Sequence, residues 1–259
     1  MWKQEYTNMF QLEDEYWWYR GLHELIERYV RDESHRQRPN ILDAGCGCGK
    51  LMTIMSRYGE VSGFDFSEDA IRFCKERGFE NVTQQDLKEW EPPHEAYDIV
   101  TCIDVLCHRA VPDVGDVLAK FRQSLKPHGV VILNLPAFEI LKRPHDTVVN
   151  TVRRSHKKET NRVLREQGFD IEVSSYRLPF LFVVIAVRKL ISVFESEGPP
   201  ASDLRPIPSF LNALLLLKHR GENGLIASGL TMPFGSSLFI VARKGESGGS
   251  GRQAVDGGR

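Results

Sequence analysis

Asp43-Ala-Gly-Cys-Gly-Cys-Gly49 sets three glycines at alternate positions directly after an acidic residue. Glycines spaced in this way let a backbone turn tightly and approach a ligand closely. A second acid, Asp65, stands twenty-two residues beyond Asp43, and a third, Asp86, lies in Gln84-Gln-Asp-Leu-Lys88. A carboxylate in the place of Asp65 can accept hydrogen bonds from both hydroxyls of a ribose. One in the place of Asp86 can meet an adenine amino group. The chemistry indicated is therefore recognition of a nucleoside. A dinucleotide fingerprint needs Gly-x-Gly-x-x-Gly, and here the third glycine comes one residue early. The phosphate-binding Gly-x-x-x-x-Gly-Lys-Ser/Thr pattern also fails, because position 44 is Ala and Leu51 follows Lys50.

These residues need a scaffold that brings successive loops together. From residue 40 onward, short apolar runs alternate with amphipathic stretches. The pattern predicts strands at 40–44, 61–65, around 82, 97–103, 130–135, 169–176 and 237–243. Between them it predicts helices at 50–58, 67–77, 113–125 and 157–167, with Ser67 capping the second and Gly78 ending it. Such alternation implies an α/β protein, with a mostly parallel sheet covered on both faces. Asp43, Asp65 and Asp86 then all lie at carboxyl ends of successive strands, where ligands of doubly wound sheets bind. Residues 1–38 read as an N-terminal helical segment, with Leu22, Leu25, Ile26, Tyr29 and Val30 at helical spacing. After Pro136 the regularity lapses for some twenty residues, the length of a functional loop or lid. Residues 178–230 form an apolar helical insertion or cap before the last strand. The glycine- and serine-rich tail 245–259 is expected to be disordered.

At this point the chain resembles the class I S-adenosylmethionine-dependent methyltransferases. The resemblance runs over residues 38–176. Asp43–Gly49 resembles that family's first motif, Gly63-Phe-Asp-Phe-Ser67 its second and Gln85-Asp-Leu87 its third. Tyr97–His108 resembles the fourth, and Leu125-Lys-Pro-His-Gly-Val-Val-Ile-Leu133 the helix-turn-strand after it. The fold it implies is a Rossmann-like, seven-stranded doubly wound sheet whose last strand is antiparallel, spanning residues 39–244. The resemblance implies S-adenosylmethionine as cofactor. Asp43, Ala44, Gly45, Cys46, Gly47 and Gly49 would surround its methionine part. Asp65 would hold the ribose, Phe66 would lie beside the adenine, and Asp86 and Leu87 would meet the adenine. Ile103 through His108 would line the sulfonium side. The flanks resemble the small-molecule subgroup, through Glu15-Tyr-Trp-Trp-Tyr-Arg20 and Leu230–Leu238.

Methyl transfer from a sulfonium is an in-line displacement in which positioning supplies much of the rate. A base is required only when the acceptor must lose a proton. His108 and His145 are the candidates, each open also to a packing or surface role. His156 begins a helix, and Asp104 is either a substrate-orienting or a solvated acid. Tyr16, Trp17, Trp18, Tyr19 and Arg20 are candidates for a substrate contact or lid, or for packing of the first helix. Arg153-Arg154 and Lys157-Lys158 form a small basic patch, open to a carboxylate or phosphate of the substrate but read first as a solvated helix start.

Composition bounds the rest. The 259 residues carry 34 basic and 35 acidic side chains, a balance that makes no electrostatic case for nucleic acid. Five cysteines, none in a Cys-x-x-Cys pair, suggest reduced thiols in a cytoplasmic protein without a metal site. No signal peptide is expected. The apolar run Phe180–Val187 is too short for a span, which needs about 20 residues, although peripheral membrane contact stays open. So does the oligomeric state. The function expected is methyl transfer to a small, partly hydrophobic metabolite. The competing expectations are a nucleotide-dependent oxidoreductase and an inactive S-adenosylmethionine-binding protein.

Overall fold

The computed structural model describes residues 1–35, 37–191 and 202–246. Seven strands form one sheet: β1 (Asn40–Ala44), β2 (Glu60–Asp65), β3 (Val82–Gln84), β4 (Tyr97–Ile103), β5 (Leu125–Pro136), β6 (Phe169–Arg177) and β7 (Ser237–Lys244). Their order across the sheet is β3-β2-β1-β4-β5-β7-β6. The first five run parallel, and β7 pairs antiparallel with β5 on one side and β6 on the other. The order reverses between β1 and β4, so a crevice opens beyond their carboxyl ends. The doubly wound sheet with its antiparallel last strand is as the sequence predicts.

The strands are buried on both faces, which is why they read as near-continuous apolar runs. One face is covered by α5 (Val114–Ser124) and α7 (Lys157–Glu166), and Leu118, Phe121 and Leu164 pack there on Leu133, Leu238 and Ile240. The other carries α2 (Trp17–Ser34), α3 (Lys50–Met55) and α4 (Glu68–Glu76). Leu22, Leu25, Ile26 and Val30 of α2 meet Met52, Ile99, Ile132 and Phe239 on that side. The helical spacing read from the first 38 residues thus marks a core face.

The amino-terminal segment holds two helices where the fold expectation had one. Helix α1 (Lys3–Leu12) ends before α2 begins at Trp17, with Tyr16 extended at φ −68°, ψ 127°. The break lets α1 fold back over the glycine loop, where Tyr6 packs with Cys48, Ala70 and Phe73. Ser67 occupies the N-cap of α4, but its side chain makes no capping bond. Its backbone N–H instead donates to Asp65 Oδ1 at 2.9 Å. Gly78 and Gly168 end α4 and α7 at φ +90° and +77°, as left-handed stops.

The lapse after β5 contains a 3-10 turn at Glu139–Leu141 and a short helix, α6 (Pro144–Val148). The apolar segment between β6 and β7 contributes α8 (Pro179–Ile191) and α9 (Ser209–Ala227). The expected disordered tail falls, from residue 247 onward, outside the described residues.

Candidate functional site

Gly45, Gly47 and Gly49 adopt φ of +86°, +53° and +83° between β1 and α3. A side chain at Gly45 would also strike Val105, its Cβ falling 2.2 Å from Cγ2. The loop therefore needs glycine both for its backbone and for its neighbour. It is held at its base, where Gly45 and Cys46 N–H donate to the Phe64 carbonyl. At its tip Gly47 N–H donates to Asp65 Oδ2 at 3.1 Å. Asp65 thereby ties the first loop to the second strand end. Tyr6 of α1 also donates its phenol to Asp65, at 3.3 Å.

Asp43 lies beneath the loop. Thr101 Oγ1 donates to its Oδ1 at 2.7 Å. Burial raises the Asp43 carboxyl to about 7, with the neighbouring Asp65 charge adding to the rise. Asp65 is raised too, by burial, against the backbone hydrogen bonds from Ser67 and Gly47 that favour its charge.

These groups line a cavity of about 470 Å³. Asp43, Gly45, Cys46, Gly47, Asp65, Ile103 and His108 all line it, as do Tyr16, Trp17, Trp18 and Tyr19. Of the remaining candidates His145 lines it as well, and the others do not reach its wall. Ala44 is core of β1, and Gly49 turns into α3. Phe66 is exposed, and Leu87 is buried in the sheet core. Asp86 Oδ1 accepts from Lys88 N–H at 2.9 Å and closes a local turn. Arg20 is also absent from the cavity, held in α2 by its own N–H to Tyr16.

The aromatic cluster divides its labour. Trp17 is buried, its ring edge against His219 of α9 at 5.8 Å, and its N–H donates to Asn212. Trp18 and Tyr19 stand edge to face at 5.0 Å and present their rings to the cavity. Members of the cluster thus pack against α9 and line the cavity.

Polar groups that follow β4 and others from the lapse after β5 line the same cavity. Asp104 follows β4 with φ +56°, and Asn134 Nδ2 donates to its Oδ1 at 3.0 Å. Burial raises its carboxyl to about 7, against Asn134 and the Arg177 charge. That is a value suited to a general base, so Asp104 is not the solvated loop acid that one reading allowed. His108 is lowered to about 4 by burial, which leaves it neutral near pH 7. His145, also lowered chiefly by burial, accepts the Asp203 N–H on its Nδ1 at 3.2 Å.

Arg154 corrects the reading of a solvated basic patch. Its side chain is 4% exposed and grips Asp146 with two bonds, Nε to Oδ2 at 2.8 Å and Nη2 to Oδ1 at 2.7 Å. Both residues line the cavity. The pair is bidentate because a guanidinium fork matches a carboxylate. Arg143 lines the cavity as well and pairs with Asp203 at 2.7 Å, while its Nε is buried without a partner. Glu5, Tyr6 and Met9 of α1 complete the wall. Sequence reasoning named Arg154 as part of its basic patch and missed the others. The one available signal was Arg143-Pro-His-Asp146, where Asp146 accepts from Arg143 N–H as an N-terminal cap would. Among the described residues, no group of three His, Cys, Asp or Glu is placed to hold a metal ion.

Comparison with known proteins adds three findings. The family model described as "Methyltransferase domain" matches residues 41–129, which hold the glycine loop, Asp65 and the end of β4. The ubiquinone biosynthesis O-methyltransferase of Cronobacter sakazakii is 38% identical over 101 residues, 36% of this chain and 41% of that protein. Its counterpart in Pseudomonas syringae pv. tomato is 30% identical over 135 residues, 46% of this chain and 56% of the relative. The chain thus spans about half the length of the curated relatives it matches. The structure of an S-adenosylmethionine dependent methyltransferase from Mesorhizobium loti superposes with a TM-score of 0.55, at 17% identity, over 84% of this chain and 95% of the other. One from Archaeoglobus fulgidus gives 0.51 at 18% identity, over 86% and 94%. At these identities the two structures speak for the fold.

Proposed function

We propose that this chain, a class I methyltransferase by its matched domain and its fold, moves a methyl group from S-adenosylmethionine to a hydroxyl oxygen of a small, partly hydrophobic acceptor. The observation that carries the reading is the cavity, lined by the glycine loop with Asp43 and Asp65 and also by a second set of polar groups, Asp104, His108, Arg143, His145, Asp146 and Arg154. The donor set fits the cofactor. Asp43 offers a carboxylate to an ammonium group, and Asp65 offers one to ribose hydroxyls. The faces of Trp18 and Tyr19 suit a cationic centre. When bound, S-adenosylmethionine supplies a methyl group already activated on a sulfonium sulfur.

The chain's own part is placement and proton handling. Asp104 and His108, both beyond β4, are the groups positioned to take a hydroxyl proton. Asp104 is the better matched, with its carboxyl near 7. His145 lies farther toward α6 and suits acceptor contact. The unpartnered Arg143 Nε offers a hydrogen bond to an acceptor oxygen. Tyr16, Trp17, Leu181 and Leu204 give the same cavity an apolar wall. The names of the relatives favour oxygen as the methylated atom. The lid of α1 and the aromatic cluster keep water from the transfer.

The test is incubation of the chain with labelled S-adenosylmethionine and a series of phenols bearing increasing alkyl substitution, beside a calorimetric titration with the cofactor. Expected are saturable cofactor binding and label recovered as a methyl ether. Cofactor binding with no transfer to any phenol or amine would leave a binding protein. Binding of NADH in preference to S-adenosylmethionine would overturn the cofactor assignment.

A further inference from the structure

Helix α9 is inside out. Its buried residues include His219, Glu222 and Asn223, whereas Phe210 is 75% exposed, Leu214 60% and Leu217 66%. A helix on a globular surface ordinarily turns its apolar stripe to the core and its polar residues to water. Here the inward polar groups are used as fasteners. Asn223 Nδ2 donates to the Gly21 carbonyl at 2.6 Å, and Asn212 bridges Trp17 N–H and the Glu15 carbonyl. Glu222 accepts from Leu178 N–H, and His219 pairs with the buried Arg177. The helices approach so closely that a Cβ on Gly21 would fall 1.9 Å from His219 Nδ1. These bonds fix the rotation of α9, and with it the leucines that face out.

Helix α8 presents a matching stripe. Phe180, Val183, Val184 and Val187 recur at the spacing of one helical face, and all are exposed. The two stripes adjoin, since Lys218 Nζ of α9 sits 3.4 Å above the Phe180 ring of α8. Leu225 and Leu230 extend the surface beyond. Scattered exposed apolar side chains are ordinary; a continuous apolar face on two neighbouring helices marks an interaction surface.

The charges say what covers it. Arg188 and Lys218 border the stripes and are exposed, as is Arg205 in the approach to α9. Among the described side chains of α8 and α9, the one acid is Glu222, which is buried and turned inward. Arg220 of α9 already pairs with Glu24, so a two-fold pairing of this face would set Arg188 and Lys218 against their counterparts with no carboxylate among the described side chains of α8 and α9 turned out to meet them. An anionic lipid surface meets both features, taking the apolar side chains below its headgroups and the cations among them. We infer that the α8–α9 face is a docking surface for anionic lipid, on which the chain sits peripherally. No helix among the described residues is long and apolar enough to cross a membrane. The same α8 turns Leu181 to the cavity, so the docked face lies one helix away from the acceptor wall.

The inference stands apart from methyl transfer and is tested without it. The full chain is floated with vesicles of phosphatidylcholine alone, or of phosphatidylcholine mixed with phosphatidylglycerol, at rising salt. Sedimentation velocity without lipid runs alongside. The chain is expected to be monomeric and to float with the anionic vesicles only, less so as salt rises. Lys218→Gln should weaken binding about five-fold, the effect of one cation near a charged surface. The double substitution Leu214→Glu and Leu217→Glu should abolish flotation with the thermal melt unchanged. Should that variant fail to fold, the Lys218 variant and the salt series decide alone. Failure to float, or equal flotation with neutral vesicles, overturns the inference. A dimer that the double substitution dissociates would assign the face to a second copy instead.

Discussion

Replacing Asp65 by Ala removes the joint between the glycine loop and the second strand end. Its Oδ1 accepts from Ser67 N–H at 2.9 Å and from the Tyr6 phenol at 3.3 Å. Its Oδ2 accepts from Gly47 N–H at 3.1 Å. A carboxylate has roughly four acceptor sites, so these three donors leave capacity for a ribose hydroxyl. A hydrogen bond to a charged acceptor contributes about 1.5–3 kcal/mol, or roughly 10–150-fold in affinity. Calorimetry should therefore show Asp65→Ala binding S-adenosylmethionine at least about ten-fold more weakly than the unaltered chain. The freed Gly47 and Ser67 N–H groups should cost about 1–3 kcal/mol in stability, read from urea unfolding as a separate measurement. Asp65→Asn keeps the volume and one acceptor, and should fall between the two chains in affinity. If Asp65→Ala folds and its dissociation constant stays within about two-fold, the nucleoside end of the site lies elsewhere.

Three further outcomes follow from the same geometry. Asp43 is protonated below about 7 and must ionise to meet a cationic ammonium group, so cofactor affinity should fall by up to about ten-fold per unit as pH drops below that value. Titrations at pH 6 and pH 8 check this, and an Asp43→Asn variant with the same slope would clear Asp43 of the effect. Asp104→Asn should lower kcat by about 10²-fold and remove an acid limb near pH 7, with cofactor affinity unchanged. A limb that persists in the variant belongs to another group. Phe121→Ala, fully buried between Trp90 and β5, should cost about 3–5 kcal/mol in urea unfolding. A loss below about 1 kcal/mol would mean that the site collapses to fill the space.

Much of the scaffold was legible because its signals are local. Tyr97–Ile103 is an uninterrupted β-forming run and is the strand β4 without adjustment. Gly78 and Gly168 end helices where the sequence places stops. Asp113 accepts from Gly115 and Asp116 N–H groups and caps α5. Local rules failed at two places. Ser67 sits at an N-cap, yet Asp65 takes its backbone N–H and the hydroxyl makes no capping bond. Arg154 stands in a run of basic residues, yet Asp146 and the Ala137 carbonyl draw it into the cavity wall.

The sequence by itself determined the order of the strands and of the helices between β1 and β6 apart from α6, the glycine loop and the acids at the ends of β1 and β2. Hydrophobic period, glycine conformation and strand-end position are properties of neighbouring residues, so they survive without coordinates. The tertiary structure alone decided which polar groups are buried together. Asp104, Asn134 and Arg177 come from three separate strand ends, and no spacing along the chain encodes their meeting. It also decided the rotation of α9. Composition marks that helix as apolar, but only its bonds to Gly21, Trp17 and Leu178 determine that Leu214 and Leu217 face outward while Leu216 is buried. Buried hydrogen bonds hold that orientation because each polar group left unpaired inside would cost about as much as burying a leucine there would return.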